Sequence, residues 1–254
     1  MPVLIAARSE DLEIARPLAL RLRSEGGEVR CYLEDDDYEL REAGCKIAVG
    51  ELEDEMNLEA SLTNVHTFVP LLPDPLDLSD RESLDSLERF ATLAAEASAA
   101  SAIEQTILPL PGLGGTSPVA EALERIEALF LRAGPPACIL RTGLIWGRRR
   151  ALCNVARAIK AEPALAEGWK DGRLSVLRVE DLVAALVAAD DFEHLHGSWQ
   201  LGGQSYRVSE LVALVDDDGP RRPPTAWVRT MLESEVIVGS SALEKLNVPA
   251  GPPG

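Results

Sequence analysis

The chain has 254 residues, and its 42 acidic against 25 basic side chains leave a formal net charge of −17, which repels nucleic-acid phosphates and anionic membrane surfaces and excludes both as partners. Apolar residues make up 46% and charged residues 26%, a composition that buries a core and is not that of a disordered chain; with only 4% aromatics, that core is built from Leu, Ala, Val and Ile. No apolar run reaches the length of a transmembrane helix, and the start lacks a signal peptide's basic and apolar segments, so a cytoplasmic location is expected.

The pattern alternates short apolar runs with helical periodicity, which predicts βαβ units on a parallel sheet. Val3–Ala6 is a continuous apolar run, as for a strand buried on both faces. Leu12, Ala15, Leu18, Ala19 and Leu22 recur at helical spacing, Gly26–Gly27 end that helix, and Pro17 inside it predicts a kink or a late start. Strands follow at Val29–Leu33, Lys46–Val49 and His66–Val69, with a short helix from Met56 to Leu62 and a proline-rich loop from Pro70 to Pro75. A long helix is expected from about Asp80 to Ala100, then strands at Ile103–Leu108 and Ala137–Leu140 flanking a helix from Pro118 to about Ala133. The second half is less regular. Asp181–Ala189 reads as a helix, Ser198–Leu201 as a strand, and Ser209 as the N-cap of a helix over Glu210–Val215. Residues 1–248 are expected to form one unit, with the core in about 1–150, a small C-terminal lobe mainly from 151–248, and a tail over 249–254. Cys31, Cys45, Cys138 and Cys153 are far apart without C-x-x-C spacing and read as buried thiols.

Five segments carry a family resemblance: Val49-Gly50-Glu51-Leu52 with Asp54, Ile139 to Gly147 (ILRTGLIWG), Val179 to Ala185 (VEDLVAA), Trp199 to Gly203 (WQLGG) and Ser240 to Leu246 (SSALEKL). In that order and spacing the chain resembles the atypical and extended short-chain dehydrogenases, including NmrA-like regulators and NAD-dependent sugar epimerases. The resemblance implies a Rossmann-like, doubly wound parallel α/β sheet with a small C-terminal lobe. It also implies a glycine-rich turn after the first strand for a dinucleotide's diphosphate. Here no glycine precedes Gly26, and the glycine positions fall near Ala7, Glu10 and Glu13. Glu10, Asp11 and Glu13 place carboxylates where the helix N-terminus favours them and a diphosphate would be repelled; Arg8 is the one cation nearby. The family's catalytic Tyr, with a Lys one helical turn later, is also missing. Four residues after Tyr32, Tyr38 and Tyr206 stand Asp36, Glu42 and Glu210. The helix that should carry the pair has Val119 and Leu123, and the family's Ser position falls on Pro109 or Leu110.

The expectations for the site follow from these gaps. No residue is assigned a catalytic role and none a metal. A remnant cofactor surface would comprise Ala7, Arg8, Ser9, Glu10, Leu33, Glu34, Glu51, Leu52 and Leu71. Glu34–Asp37 stands where relatives use an acid on the ribose, and reads otherwise as a solvated loop. Arg148–Arg150 reads as an anion site or as a surface loop paired with acids, His194 and His196 as turn residues, Gly112, Gly114 and Gly115 as a connector. Trp146, Trp169, Trp199 and Trp227 read as core, or as the lining of a pocket between the lobes. The leading expectation is a non-catalytic protein of this fold that senses a ligand or binds a protein partner, without cofactor, as a possible homodimer. The alternative is an NAD(P)-dependent oxidoreductase or epimerase/isomerase with a rebuilt site.

Overall fold

The order of elements is β1 (Pro2–Ala7), α1 (Leu12–Ser24), β2 (Glu28–Leu33), α2 (Tyr38–Glu42), β3 (Lys46–Val49), α3 (Glu55–Ser61), β4 (Thr67–Pro70), α4 (Arg81–Ala100), β5 (Gln105–Pro111), α5 (Pro118–Phe130), β6 (Ala137–Thr142) and β7 (Leu144–Trp146). It continues with α6 (Ala151–Ala161), β8 (Arg173–Arg178), α7 (Val179–Asp190), β9 (Gly197–Leu201), β10 (Gln204–Arg207), α8 (Val208–Leu214), α9 (Ala226–Glu233) and α10 (Ser241–Leu246). This computed structural model describes residues 2–113, 117–169, 171–192, 195–233, 236–248 and 251.

Seven strands form one parallel sheet in the order β3-β2-β1-β4-β5-β6-β9. The apolar run of β1 follows from its place between β2 and β4, with a helical layer on each face. Its alternate residues go to different cores. Leu4 and Ala6 pack with side chains of α3, α4 and α5, while Val3, Ile5 and Ala7 pack with α1 and α7. Helix α4 starts in a reciprocal cap between Asp80 and Ser83 and buries Leu84, Leu87, Phe90, Ala91 and Ala94 along one stripe. Ser117 caps α5 with Pro118 in its first turn.

The second half of the chain divides. Helix α7 packs against α1, and β9 extends the main sheet beyond β6. A second sheet, β10-β8-β7, pairs β8 parallel to β7 and antiparallel to β10, with α6 and α8 packed together beside it.

The doubly wound parallel sheet expected from the sequence is present, with differences at element ends. Helix α1 runs unbroken through Pro17, so it does not start late. Strand β5 begins two residues later than expected and continues to Pro111, because Pro111 pairs with Thr142 of β6. Ser209 does not cap α8: it lies inside the first turn, where its N–H and hydroxyl both donate to Asp171 at 3.1 and 2.7 Å. Helices α2, α6 and α9 and strands β7, β8 and β10 were not anticipated as elements; most are short, and α6 buries nearly its whole circumference, which blurs its periodicity.

Candidate functional site

In the main sheet the chain leaves β1 toward β2 and returns past it to β4, so strand order reverses between β1 and β4. Ligands of open α/β sheets bind outside the carboxyl ends of the strands at such a reversal. The two loops that flank it are residues 8–11 after β1 and 71–77 after β4. Both carry acids, and a buried arginine joins them. Arg150 reaches in from the turn after β7 and donates to Asp11 Oδ1 at 2.6 Å and Asp74 Oδ2 at 3.0 Å. All three side chains are 5% exposed or less. Asp11 Oδ2 and Arg150 Nε are buried with no partner among the described residues. A few residues on, Asp77 takes two hydrogen bonds from Arg222, one at its carboxylate and one at its carbonyl, the latter at 3.1 Å. Arg222 in turn is tied to α6 through its N–H and the Asn154 carbonyl at 3.1 Å. The Arg222 segment is therefore joined both to the loop after β4 and to α6.

Burial dominates the titration of Asp11 and Asp77. It pushes the Asp11 carboxyl up to about 6, with the Arg150 guanidinium holding back part of the rise. Asp77 is likewise pushed up to about 6, by burial first and by the charge of Asp74 second, against the pull of Arg222 and Arg150. A carboxyl raised above its unfolded value of 3.8 contributes stability that is whole below pH 4 and is lost as pH rises through about 6. The melting temperature is therefore expected to rise between pH 7 and pH 5, and to rise less in Asp77→Asn. Thermal melts of the two proteins at pH 5, 6, 7 and 8 check this, and parallel curves would show that Asp77 is not titrating there.

The residues expected to form a remnant cofactor surface do lie along this edge, and four of them are engaged with one another. Ala7 and Leu33 end β1 and β2 as a buried, paired couple. Ser9 donates its N–H to Glu34 Oε2 and its hydroxyl to Asp35 Oδ2, both at 3.0 Å, so a protein carboxylate takes the backbone donor at the turn. Arg8 points across to α4, donating to Ser86 Oγ at 3.1 Å. Glu10 is exposed; Glu51 is exposed and its carbonyl accepts the Tyr32 hydroxyl at 2.6 Å; Leu52 and Leu71 are buried.

Asp11 and Glu13 do not cap α1 as expected. Asp11 turns to Arg150, and Glu13 accepts the Arg149 N–H at 3.0 and 3.2 Å. The acidic loop is not simply solvated either, since Asp37 caps α2 and pairs with Arg16 at 2.7 Å. Of the three consecutive arginines, Arg148 and Arg149 are exposed and Arg150 is in the crevice. Trp146 is buried, and Trp169, Trp199 and Trp227 are partly exposed. Val119 and Leu123, at the places of the missing Tyr and Lys, are buried in the core. Pro109 and Leu110 sit on β5, and Pro109 lines the crevice. Gly114, Gly115 and His194 lie outside the described residues. Among the described residues, no group of three or more His, Cys, Asp or Glu is placed to hold a metal ion, and no helix is long and apolar enough to cross a membrane.

Asp74, Asp77 and Arg222 escaped the sequence reading. The available signal was position: Pro73-Asp74-Pro75-Leu76-Asp77 places two carboxylates directly after a strand at the sheet's ligand-binding edge.

No family model matches the chain, and no curated protein does. Solved structures do. MoeE5 in complex with UDP-glucose and NAD superposes with a TM-score of 0.75 at 18% identity, over 99% of this chain and 94% of that one. The chain shares the Rossmann-like fold of that protein along nearly its whole length. UDP-glucuronic acid 4-epimerase from Bacillus cereus, in complex with UDP-glucuronic acid and NAD, gives 0.72 at 13% identity over 99% and 95%. The Thermotoga maritima UDP-glucose 4-epimerase, with UDP-glucose, gives 0.71 at 15% identity over 98% and 94%.

Two expectations are corrected by these likenesses. The non-catalytic module gives way to the alternative, because solved proteins that share this fold along almost the entire chain include epimerases holding UDP-glucose or UDP-glucuronic acid. The absence of a cofactor gives way because NAD is present in several of those structures. The physical reason is that glycines and a Tyr–Lys pair are one way to furnish this crevice. Their loss leaves the crevice itself, and here it holds other ionisable groups.

The fit of a dinucleotide is specific. The crevice around Asp11, Leu71, Asp74, Thr142 and Arg150 has about 30 Å³ free, room for one water molecule. A diphosphate does not fit into that space while Arg150 spans Asp11 and Asp74.

Proposed function

We propose that the chain is an NAD(P)-dependent epimerase or oxidoreductase whose site is rebuilt around Asp11, Asp74, Asp77 and Arg150. The observation that carries the reading is the burial of Asp11, Asp74 and Arg150 at the reversal point of the sheet, with Asp77 half-buried beside them, in a fold whose solved examples include NAD-containing epimerases. When bound, NAD(P) supplies a hydride acceptor or donor. The chain itself supplies the proton chemistry. Asp11 and Asp77, both raised to about 6, are poised to take up and release a proton near neutral pH, the task for which a general acid–base group is tuned. Arg150 and Arg222 hold these carboxyls in place and are the cations available to an anionic ligand.

Withdrawing Arg150 costs free energy, and that cost comes off the nucleotide's affinity, so binding is expected to be weak. Calorimetric titration with NAD⁺, NADH, NADP⁺ and NADPH at millimolar concentration tests the reading. Saturable heat is expected with one oxidised–reduced pair. Flat titrations with all four nucleotides would sink it.

A further inference from the structure

A second cavity lies on the other side of the turn 147–150 from the crevice. It has a volume of about 700 Å³ and sits between α1, the start of α7, α6 and the end of α8. That is within the range of small-molecule sites. Its apolar wall is made by Trp146, Val179, Val183 and Leu214. Four arginines from four segments also line it: Arg21 from α1, Arg148 from the turn after β7, Arg157 from α6 and Arg178 before α7.

The turn that forms one wall is held in place from both sides. Arg157, with a side chain only 2% exposed, donates Nε and Nη2 to Asp216 Oδ1 at 3.0 and 2.7 Å and Nη1 to the Arg148 carbonyl at 2.7 Å. Glu13 takes the Arg149 N–H from the other side. Gly147 lets the three meet: a Cβ there would lie 2.6 Å from Val179 Cγ2, 2.9 Å from Arg150 Cγ and 3.0 Å from Glu13 Cδ. Two cations on this wall keep donors to spare. The Arg148 side chain makes no hydrogen bond or salt bridge among the described residues, and the Arg21 side chain uses only Nε, on Glu25 at 3.4 Å. Arg178, by contrast, is spent on Asp181 at 2.9 and 2.6 Å.

We propose that this cavity binds a small organic monoanion, with its charge on Arg148 and Arg21 and its apolar body against Trp146 and Val183. Burial of an aromatic or branched body suits the apolar wall. A single negative charge is specified because Glu13, Glu180 and Asp216 also line the cavity and oppose a ligand of higher negative charge. A polyphosphate meets those acids. The site is separate from the crevice and does not depend on a nucleotide binding there.

The test uses 8-anilinonaphthalene-1-sulfonate, an aromatic monoanion, as the probe for fluorescence titration of the full chain. Wild type is expected to show one saturable rise in emission. Arg148→Glu and Arg21→Glu are both surface changes that leave the fold intact, and each is expected to weaken binding at least tenfold. Lys160→Glu, beside a different apolar groove, is expected to bind like wild type. Inorganic pyrophosphate at matched ionic strength is expected not to displace the probe. Absence of saturable binding would overturn the proposal, as would Arg148→Glu and Arg21→Glu both binding within twofold of wild type. Displacement by pyrophosphate would overturn the monoanion assignment.

Discussion

Arg150→Met is expected to lower stability by about 3–5 kcal/mol, the usual result of removing one partner of a buried ion pair. For a chain of this length that is a fall in Tm of roughly 6–20 °C. Asp11 loses its 2.6 Å partner and Asp74 its 3.0 Å partner, with both side chains 5% exposed or less. Asp11, already raised by burial, can escape only by taking a proton, which raises its folded pKa further above the unfolded value. Stability from such a group is present at low pH and lost as pH rises. The deficit of the variant is therefore expected to be larger at pH 8 than at pH 5. Adding Asp11→Asn and Asp74→Asn removes the stranded charges and is expected to restore much of the loss. Thermal melts of the single and triple variants at the two pH values check this. A single variant that melts with wild type at pH 8, or a deficit that ignores pH, would show that the pair contributes nothing there.

The second large effect is expected at Gly203. This glycine joins β9 of the main sheet to β10 of the second sheet, and the crossing is tight. A Cβ at Gly203 would lie 1.7 Å from the Val176 carbonyl oxygen and 2.5 Å from its carbon. Val176 pairs with both Leu144 and Gln204, so it cannot give way without disturbing both ladders. Overpacking ordinarily costs 1–3 kcal/mol where side chains yield; against a backbone fixed on two sides Gly203→Ala is expected to cost about 3 kcal/mol or more. Chemical denaturation measures it, and an alanine variant with an unchanged midpoint would contradict the geometry.

These two positions also show what the sequence could and could not reveal. The Trp199–Gly203 segment was recognisable because a glycine pair at a strand end reflects a local steric demand, and local demands leave local marks. The run of β1 was legible for the same reason, since burial on both faces requires an unbroken apolar string. Arg150 was visible as part of a basic run, but its burial was not. Its partners stand 139 and 76 residues away in sequence, and no spacing rule joins an arginine to carboxylates on two other loops. Asp77 and Arg222, 145 residues apart, were hidden in the same way. The missing Tyr and Lys could be established by counting, yet counting shows only which groups are lost. The groups that stand at the crevice instead emerge once the strand order is known.

The outer strands of the main sheet bear on how molecules of this protein meet at high concentration. An unpaired strand edge is a template for another chain's backbone. Here β3 offers only four residues, with Lys46 exposed and paired to Glu28 at 2.7 Å. At the opposite end, β9 is covered by its own chain. The Gln200 N–H donates to Ser241 Oγ at 3.2 Å, the Gly239 N–H donates to the Gln200 side chain at 3.0 Å, and the Gly202 N–H donates to the Gly239 carbonyl at 2.6 Å. The segment before α10 thus acts as a selvedge that stops the weave from growing. Loosening it would uncover a strand that folding had left with no room for a neighbour.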